Sequence, residues 1–315
     1  MSNFSLPVLT LMVLVACALD RLLGEPTRFH PLVGFGHFAA RCEKRFNQPD
    51  LSPHPARWRG LLCWSALVLL PTLAIGMTLP LLHGLTEIVL SIVILYLTIG
   101  GRSLQEHAAR VQADLESGDL AAGRMHVSWL VSRDTSSLDH SGVSKACIES
   151  VLENGNDALF APIFWFCLLG PAGALMYRLA NTLDAMWGYR TPRFLNFGRA
   201  AARLDDLLNY VPARLTALAY ALAGQTRSAW QCWQAQAPQW DSPNAGPVMA
   251  AGAGALEVLL GGAADYHGAT EHRPLLGCGN APESADIGRA QQLQRKALGL
   301  WLVALALAAL PFLIF

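Results

Sequence analysis

The chain has 315 residues, and its 23 Lys and Arg balance 23 Asp and Glu. Only 15% of residues are charged while 53% are hydrophobic, short of the roughly 25% charge that covers a soluble domain. Such a composition excludes disorder and fibrous repeats and leaves no basic surplus for nucleic acid, so an all-α, polytopic integral membrane protein is expected.

Phe4 to Leu19 is charge-free and stops at Asp20-Arg21. Without a basic leader or a small-residue cleavage site, it reads as an uncleaved anchor. Residues 24–60 carry Arg28, Arg41, Lys44, Arg45, Arg57 and Arg59, which the positive-inside rule places in the cytoplasm. Leu61 to Leu82 runs without a charge, the length of a span. Leu85 to Gly101 follows after His83-Gly84 alone, so the two form a tight hairpin across the bilayer, and Arg102 and Arg110 return to the cytoplasm.

Further along, Ala158 to Leu169, Val211 to Gly224 and Val248 to Gly262 fall short of the roughly 20 residues that a span needs. They are expected as buried or re-entrant helices. Ala250, Gly252 and Gly254 would let helix backbones approach closely. No segment alternates with period two, so strands are not expected. Arg289, Arg295 and Lys296 precede an apolar tail, Ala297 to Phe315. Four spans put every basic cluster on one side of the cell (inner) membrane. The organisation is then an N-terminal membrane region (1–101, spans about 4–19, 61–82 and 85–101), a cytoplasm-facing catalytic region (102–296) and a C-terminal span (297–315). Seven scattered cysteines contain no CxxC pair and nine histidines no HExxH, so neither suggests a metal site.

The polar residues of the middle region gather in five islands. Ser132-Arg133-Asp134-Thr135-Ser136 reads as a helix start with Asp134 or Thr135 as N-cap. The same free N–H groups, with Arg133, would suit a phosphate. Glu149 and Glu153 share a helical face four residues apart, Asn154 follows, Gly155-Asn156 is expected to end the helix, and Asp157 to cap the next. These oxygens suit Mg²⁺ or, equally, a solvated acidic face. Asn181 and Asp184 form the third island at i, i+3. The fourth is Arg203, Asp205, Asp206, Asn209 and Arg214, with Asp206 and Asn209 at the same spacing. Adjacent aspartates in an apolar helix need cations, whether metal or the two arginines. Ser242-Pro243-Asn244 is a rigid loop opening an Ala/Gly-rich helix. No P-loop or GxGxxG fingerprint is present.

Together with Leu19-Asp20, Gly24-Glu25-Pro26, His30-Pro31 and Gly101-Arg102-Ser103-Leu104, these islands resemble, in order and over nearly the whole chain, the adenosylcobinamide-phosphate synthase family of cobalamin biosynthesis. The resemblance implies a ligase that condenses a propionate of adenosylcobyric acid, a corrinoid, with (R)-1-aminopropan-2-yl phosphate or a related amino-alcohol phosphate. ATP is the co-substrate and Mg²⁺ the cofactor. A carboxylate is a poor acyl donor, so an acyl phosphate is the expected intermediate. Glu149, Glu153, Asp157 and Asp206 are then the expected catalytic acids, and Glu149, Glu153, Asp157, Asp184 and Asp205 the metal ligands. Arg133, Asp134, Thr135, Asn154, Asn181, Asp184, Arg203, Asn209, Arg214, Ser242 and Asn244 are expected to bind substrate or ATP, all within one cytosol-facing cavity. Implied partners are the lipid bilayer, further copies of the chain or other cobalamin-assembly enzymes.

The chain departs from the family's pattern at Ser132, Gly155-Asn156, Ala158 and Pro247-Val248-Met249, and the last removes one customary Glu. A transporter, or a non-catalytic membrane sensor, is the competing reading of buried carboxylates. A transporter would favour inverted repeats, which are not seen, and a sensor decayed islands, whereas most are intact.

Overall fold

The computed structural model describes residues 4–26, 28, 30–266 and 269–314. Thr27, Phe29 and the last residue of the expected C-terminal span, Phe315, lie outside them. The chain divides into two compact units, one made of Met1–Gly100, Asp157–Asn209 and Ala308–Phe315, the other of Gly101–Asn156 and Tyr210–Leu307.

The first unit holds α1 (Leu6–Leu23), α2 (Pro31–Phe46), α3 (Pro53–Thr78), α4 (Gly84–Thr98), α8 (Ala161–Trp187) and the first half of α9 (Arg199–Ala223). Proline stands in the first turn of α1, α2 and α3, where its missing N–H has no helical partner to lose. Its core sets Trp64, Leu67 and Val68 of α3 against Leu179, Ala180, Leu183 and Trp187 of α8, with Ala39 of α2 and Ala201 of α9. Glu43 on α2 accepts a bidentate pair from Arg193, at 2.6 and 3.0 Å. Leu62, Leu70, Leu73 and Met77 of α3 and Leu85 of α4 are exposed, as residues facing acyl chains are.

Two carbonyls of this unit are freed by a proline four residues on, and another segment of the unit then occupies each. Pro162 cannot donate to Ala158, whose carbonyl accepts from the Gly100 amide at 2.9 Å. A Cβ at Gly100 would meet only the movable carboxylate end of Glu25 and, at 3.9 Å, the Ala158 methyl. Pro212 likewise cannot donate to Leu208, and the Trp165 indole donates to that carbonyl at 3.0 Å.

The second unit comprises α5 (Gly101–Glu116), α6 (Leu120–Val127), α7 (His140–Gly155), the rest of α9, α10 (Thr226–Gln236), α11 (Ala245–Leu256) and most of α12 (Ser284–Ala309). Every residue of α11 is buried. A Cβ at Gly254 would lie 2.7 Å from the Ser228 carbonyl of α10, and one at Gly252 would lie 2.6 Å from Leu152 of α7, so the small residues do permit close approach.

Strands were not expected, yet β1 (Leu259–Tyr266) and β2 (Ala269–Gly277) pair antiparallel, with an irregularity between Gly261 and Ala263. The stretch expected as one helix to Gly262 therefore stops at Leu256. The α-helix α7 ends at Gly155 with Asn156 at its C-cap position, as expected, but a π-helical turn, Asn156–Phe160, carries the helical backbone on into α8. Asp157 lies in that turn, and the N-cap position of α8 is Phe160. The α7 N-cap is Asp139, which accepts from the Gly142 amide at 2.7 Å, and not Asp134 or Thr135.

Among the described residues, four helices are long and apolar enough to cross a membrane: Leu6–Leu23, Pro53–Leu81, Gly84–Glu116 and His140–Trp187. The first three overlap the expected N-terminal spans, with Leu6–Leu23 starting two residues after Phe4 and Pro53–Leu81 ending one before Leu82. The fourth absorbs Ala158 to Leu169, expected to be too short, and kinks at Gly170, where φ is 67°. The C-terminal apolar run instead completes α12 beyond Arg289, Arg295 and Lys296, and α13 (Pro311–Ile314) follows.

Candidate functional site

In the first unit, α8 presents Tyr177, Asn181 and Asp184 at i, i+4 and i+7, which places them on one helical face. On α9, Asp205 and Asn209 are likewise one turn apart. Asp205 is buried, and its carboxylate accepts from Asn209 Nδ2 at 3.0 Å and from Asn181 Nδ2 at 3.4 Å. Tyr177, fully buried, donates its hydroxyl to Asn209 Oδ1 at 2.9 Å and sits 3.4 Å from Asp157 Oδ1. Burial, then the charges of Asp157 and Asp184, push the Asp205 carboxyl well above the usual carboxylate range, while the two amides oppose that rise. Asp206 and Asp157 lie within electrostatic reach of Asp184.

Two residues of the amino-terminal motif, Glu25 and His30, also belong to the first unit. His30 caps α2 by accepting the Leu32 amide at Nδ1, 3.2 Å away. Its proton then belongs on Nε2, a buried atom with no partner among the described residues. Burial lowers the His30 pKa, Glu25 opposes that, and Arg178 adds to it.

The second unit holds a different arrangement. Glu149 of α7 is buried, 2.6 Å from Arg133 Nη2, and Arg273 of β2 reaches both its oxygens at 3.2 and 3.3 Å. The Gly261 amide donates to the same carboxylate at 2.8 Å. Arg273 also donates to the Gly262 carbonyl at 3.2 Å and stands over the Trp240 ring. Glu149 is thus the anchor of the hairpin, and a cation there would have to displace an arginine.

Arg214 donates to Asn244 Oδ1 at 3.1 Å and to the Pro243 carbonyl at 3.0 Å, and its guanidinium stacks 3.5 Å from the Tyr210 ring centre. Ser242 Oγ accepts from the amides of Asn244 and Ala245 at 3.3 and 3.2 Å, fixing the start of α11.

The expected residues therefore gather in two sets, each within its own unit. Asp157, Asn181, Asp184, Asp205, Asp206 and Asn209 form the acidic and amide set. Within it Asn209 donates to Asp205, one turn earlier on the same helix. Arg203 is on the exposed side of the same helix. Arg133 and Glu149 form the second set with Arg273. Asn154 donates to Ser150 Oγ at 2.8 Å, Glu153 is half-buried, Asp134 closes an exposed turn through the Ser136 amide at 2.8 Å, and Thr135 donates to the Arg124 carbonyl at 3.0 Å. Among the described residues, no three His, Cys, Asp or Glu side chains form a ready-made metal cage.

Sequence reasoning missed Tyr177 and Arg273. Tyr177 was legible as the residue one turn before Asn181. Arg273 had no signal without the hairpin.

Compared with known proteins, the family described as CobD/Cbib protein matches residues 13–294. "Cobalamin biosynthesis protein CobD" of Chromobacterium violaceum is 55% identical over 298 residues, covering 94% of this chain and 95% of that protein. The protein of the same name from Stutzerimonas stutzeri is 55% identical over 295 residues, covering 94% and 96%. That of Mycobacterium tuberculosis is 40% identical over 289 residues, covering 90% of each chain. No solved structure matches.

Proposed function

The chain belongs to the CobD/CbiB family of cobalamin-biosynthesis proteins, and we propose that it is the family's ATP-dependent amide ligase. It joins adenosylcobyric acid to (R)-1-aminopropan-2-yl phosphate, or a related amino-alcohol phosphate, to give adenosylcobinamide phosphate. One observation carries the choice of site: buried Asp205 is surrounded by two amides and two further carboxylates, an arrangement that a cation with phosphate ligands completes.

The chemistry proceeds in two balanced steps. A propionate oxygen of the corrin attacks the γ-phosphorus of ATP, the bond to the β-phosphate oxygen breaks, and ADP leaves. The neutral amine then attacks the acyl carbon, the carbon–oxygen bond to phosphate breaks, and the nitrogen gives up one proton.

The donor set of the first unit is all oxygen, which suits Mg²⁺. That ion is usually held by one or two carboxylates plus substrate phosphates, so a preformed cage of three acids is not required. Asp157, Asp184 and Asp205 would hold it, and when bound it supplies charge neutralisation for the transferred phosphoryl group. Asn181 and Asn209 fix the Asp205 carboxylate, and Tyr177 fixes Asn209. Asp206 receives the amine proton. Arg203 faces phosphate. Glu149 and Arg133, which neutralise each other, act as structure, and Arg214 positions Asn244 and the Ser242 loop. The basic residues of 24–60 favour a cytoplasmic location for the nucleotide.

The test is to supply the purified protein with adenosylcobyric acid, Mg²⁺–ATP and each amino-alcohol phosphate and to seek the amide by mass. ATP cleavage that requires both corrinoid and amine supports a ligase, whereas substrate movement without cleavage would indicate a transporter.

A further inference from the structure

Away from the acidic set, α2 and α3 enclose a groove of about 640 Å³ in the first unit. Its walls come from one face of each helix. Phe38, Cys42 and Arg45 recur at i, i+4 and i+7 on α2, and Arg59, Cys63, Ala66 and Leu70 follow the same spacing on α3. Residues 47–52 join the two helices, so Arg45, near the end of one, and Arg59, near the start of the other, mark the same end of the groove. Beyond them the lining is apolar: Leu62, Leu67 and Leu70 on one side, Phe38 on the other.

From Arg59 to Leu70 an α-helix advances about 16 Å, close to one leaflet of a hydrocarbon core roughly 30 Å thick. The arginine end also carries the exposed aromatics Phe46 and Trp58, side chains that favour the headgroup level. Glu43, the acid of α2, is taken by Arg193, and Arg57 donates to Asn196. Among the described residues neither Arg45 nor Arg59 makes an ion pair. Arg59 makes one long contact, 3.5 Å, to the Phe46 carbonyl.

We propose that this groove holds an anionic phospholipid, with its phosphate between Arg45 and Arg59 and one acyl chain along Leu62, Leu67 and Leu70. Charge complementarity selects the anionic headgroup, and the length of the apolar wall selects a chain over a free anion. The site is separate from the proposed chemistry and does not depend on it.

Native mass spectrometry of the full chain, purified in detergent, tests the assignment with phosphatidylglycerol, phosphatidylcholine or inorganic phosphate added. The wild type should retain phosphatidylglycerol over phosphatidylcholine, and inorganic phosphate should not displace it. Arg45→Gln/Arg59→Gln should lower retention by on the order of 10- to 30-fold. Both residues lie at the surface or half-buried, so the variant's melting curve verifies folding. Ala66→Trp, which fills the exposed wall and leaves both arginines, should also lower retention. Equal retention of the two lipids, undiminished retention by the double variant, or full displacement by inorganic phosphate would overturn the proposal.

Discussion

At the scale of single residues, Asp205 carries the most information. Its folded pKa lies above its unfolded value, so the folded protein binds the extra proton. Below about pH 4 both states carry that proton and the effect vanishes. As pH rises through the raised folded pKa, stability falls. Without added ligands, Asp205→Asn should therefore raise the melting temperature at pH 8 and leave it little changed at pH 4. Its amide synthesis should drop by about 10- to 100-fold or more. Thermal melting and product mass check the two halves. Tyr177→Phe removes the hydroxyl that anchors Asn209, and should cost about 1 kcal/mol of stability with a smaller loss of turnover than Asp205→Asn. The acidic set was legible because Asn181/Asp184 and Asp205/Asn209 fall at helical spacings. Which aspartate of the adjacent pair turns inward was not, because positions 205 and 206 differ by only about 100° around a helix. The packing of α9 decides it.

Glu149 ties together elements remote in sequence: α7, the loop carrying Arg133 and the hairpin carrying Arg273. Glu149→Gln would leave two buried or half-buried guanidinium groups without their counter-charge, and a loss of about 3–5 kcal/mol is expected. Arg273→Ala should loosen the hairpin specifically, seen as faster proteolysis within 259–277 while cleavage elsewhere is unchanged. Trp165→Phe exposes a different dependence, since the Leu208 carbonyl freed by Pro212 loses its donor, at a cost of about 1–3 kcal/mol. The proline positions were readable, but the donors that answer them came from distant segments. The hairpin was hidden for a compositional reason. Leu259-Leu260-Gly261-Gly262-Ala263-Ala264 lacks the β-branched alternation of a strand, and the pairing is held by α11 and by Glu149. The π-helical turn is equally unwritten, because one extra residue in a turn leaves the apolar pattern nearly unchanged.

For the whole molecule, the apolar runs before residue 101 gave the first three long helices because span length follows from bilayer thickness alone. The fourth required knowing that Pro162 and Gly170 do not end the helical run from His140 to Trp187. Crossing by α3 makes a testable demand. Single cysteines at Ser52 and His83, placed in a chain without its own cysteines, should label from opposite sides of intact cells, with Ser52 protected from outside. The bilayer, the acidic set and the ligase chemistry then converge on a single assay. Purified protein is given adenosylcobyric acid, Mg²⁺–ATP and (R)-1-aminopropan-2-yl phosphate, and ADP and amide are counted together for wild type and Asp205→Asn. The account predicts one ADP per amide in the wild type and both products lowered together by about 10- to 100-fold or more in the variant. Amide formed without ATP cleavage, or an Asp205→Asn protein as active as the wild type, would contradict it.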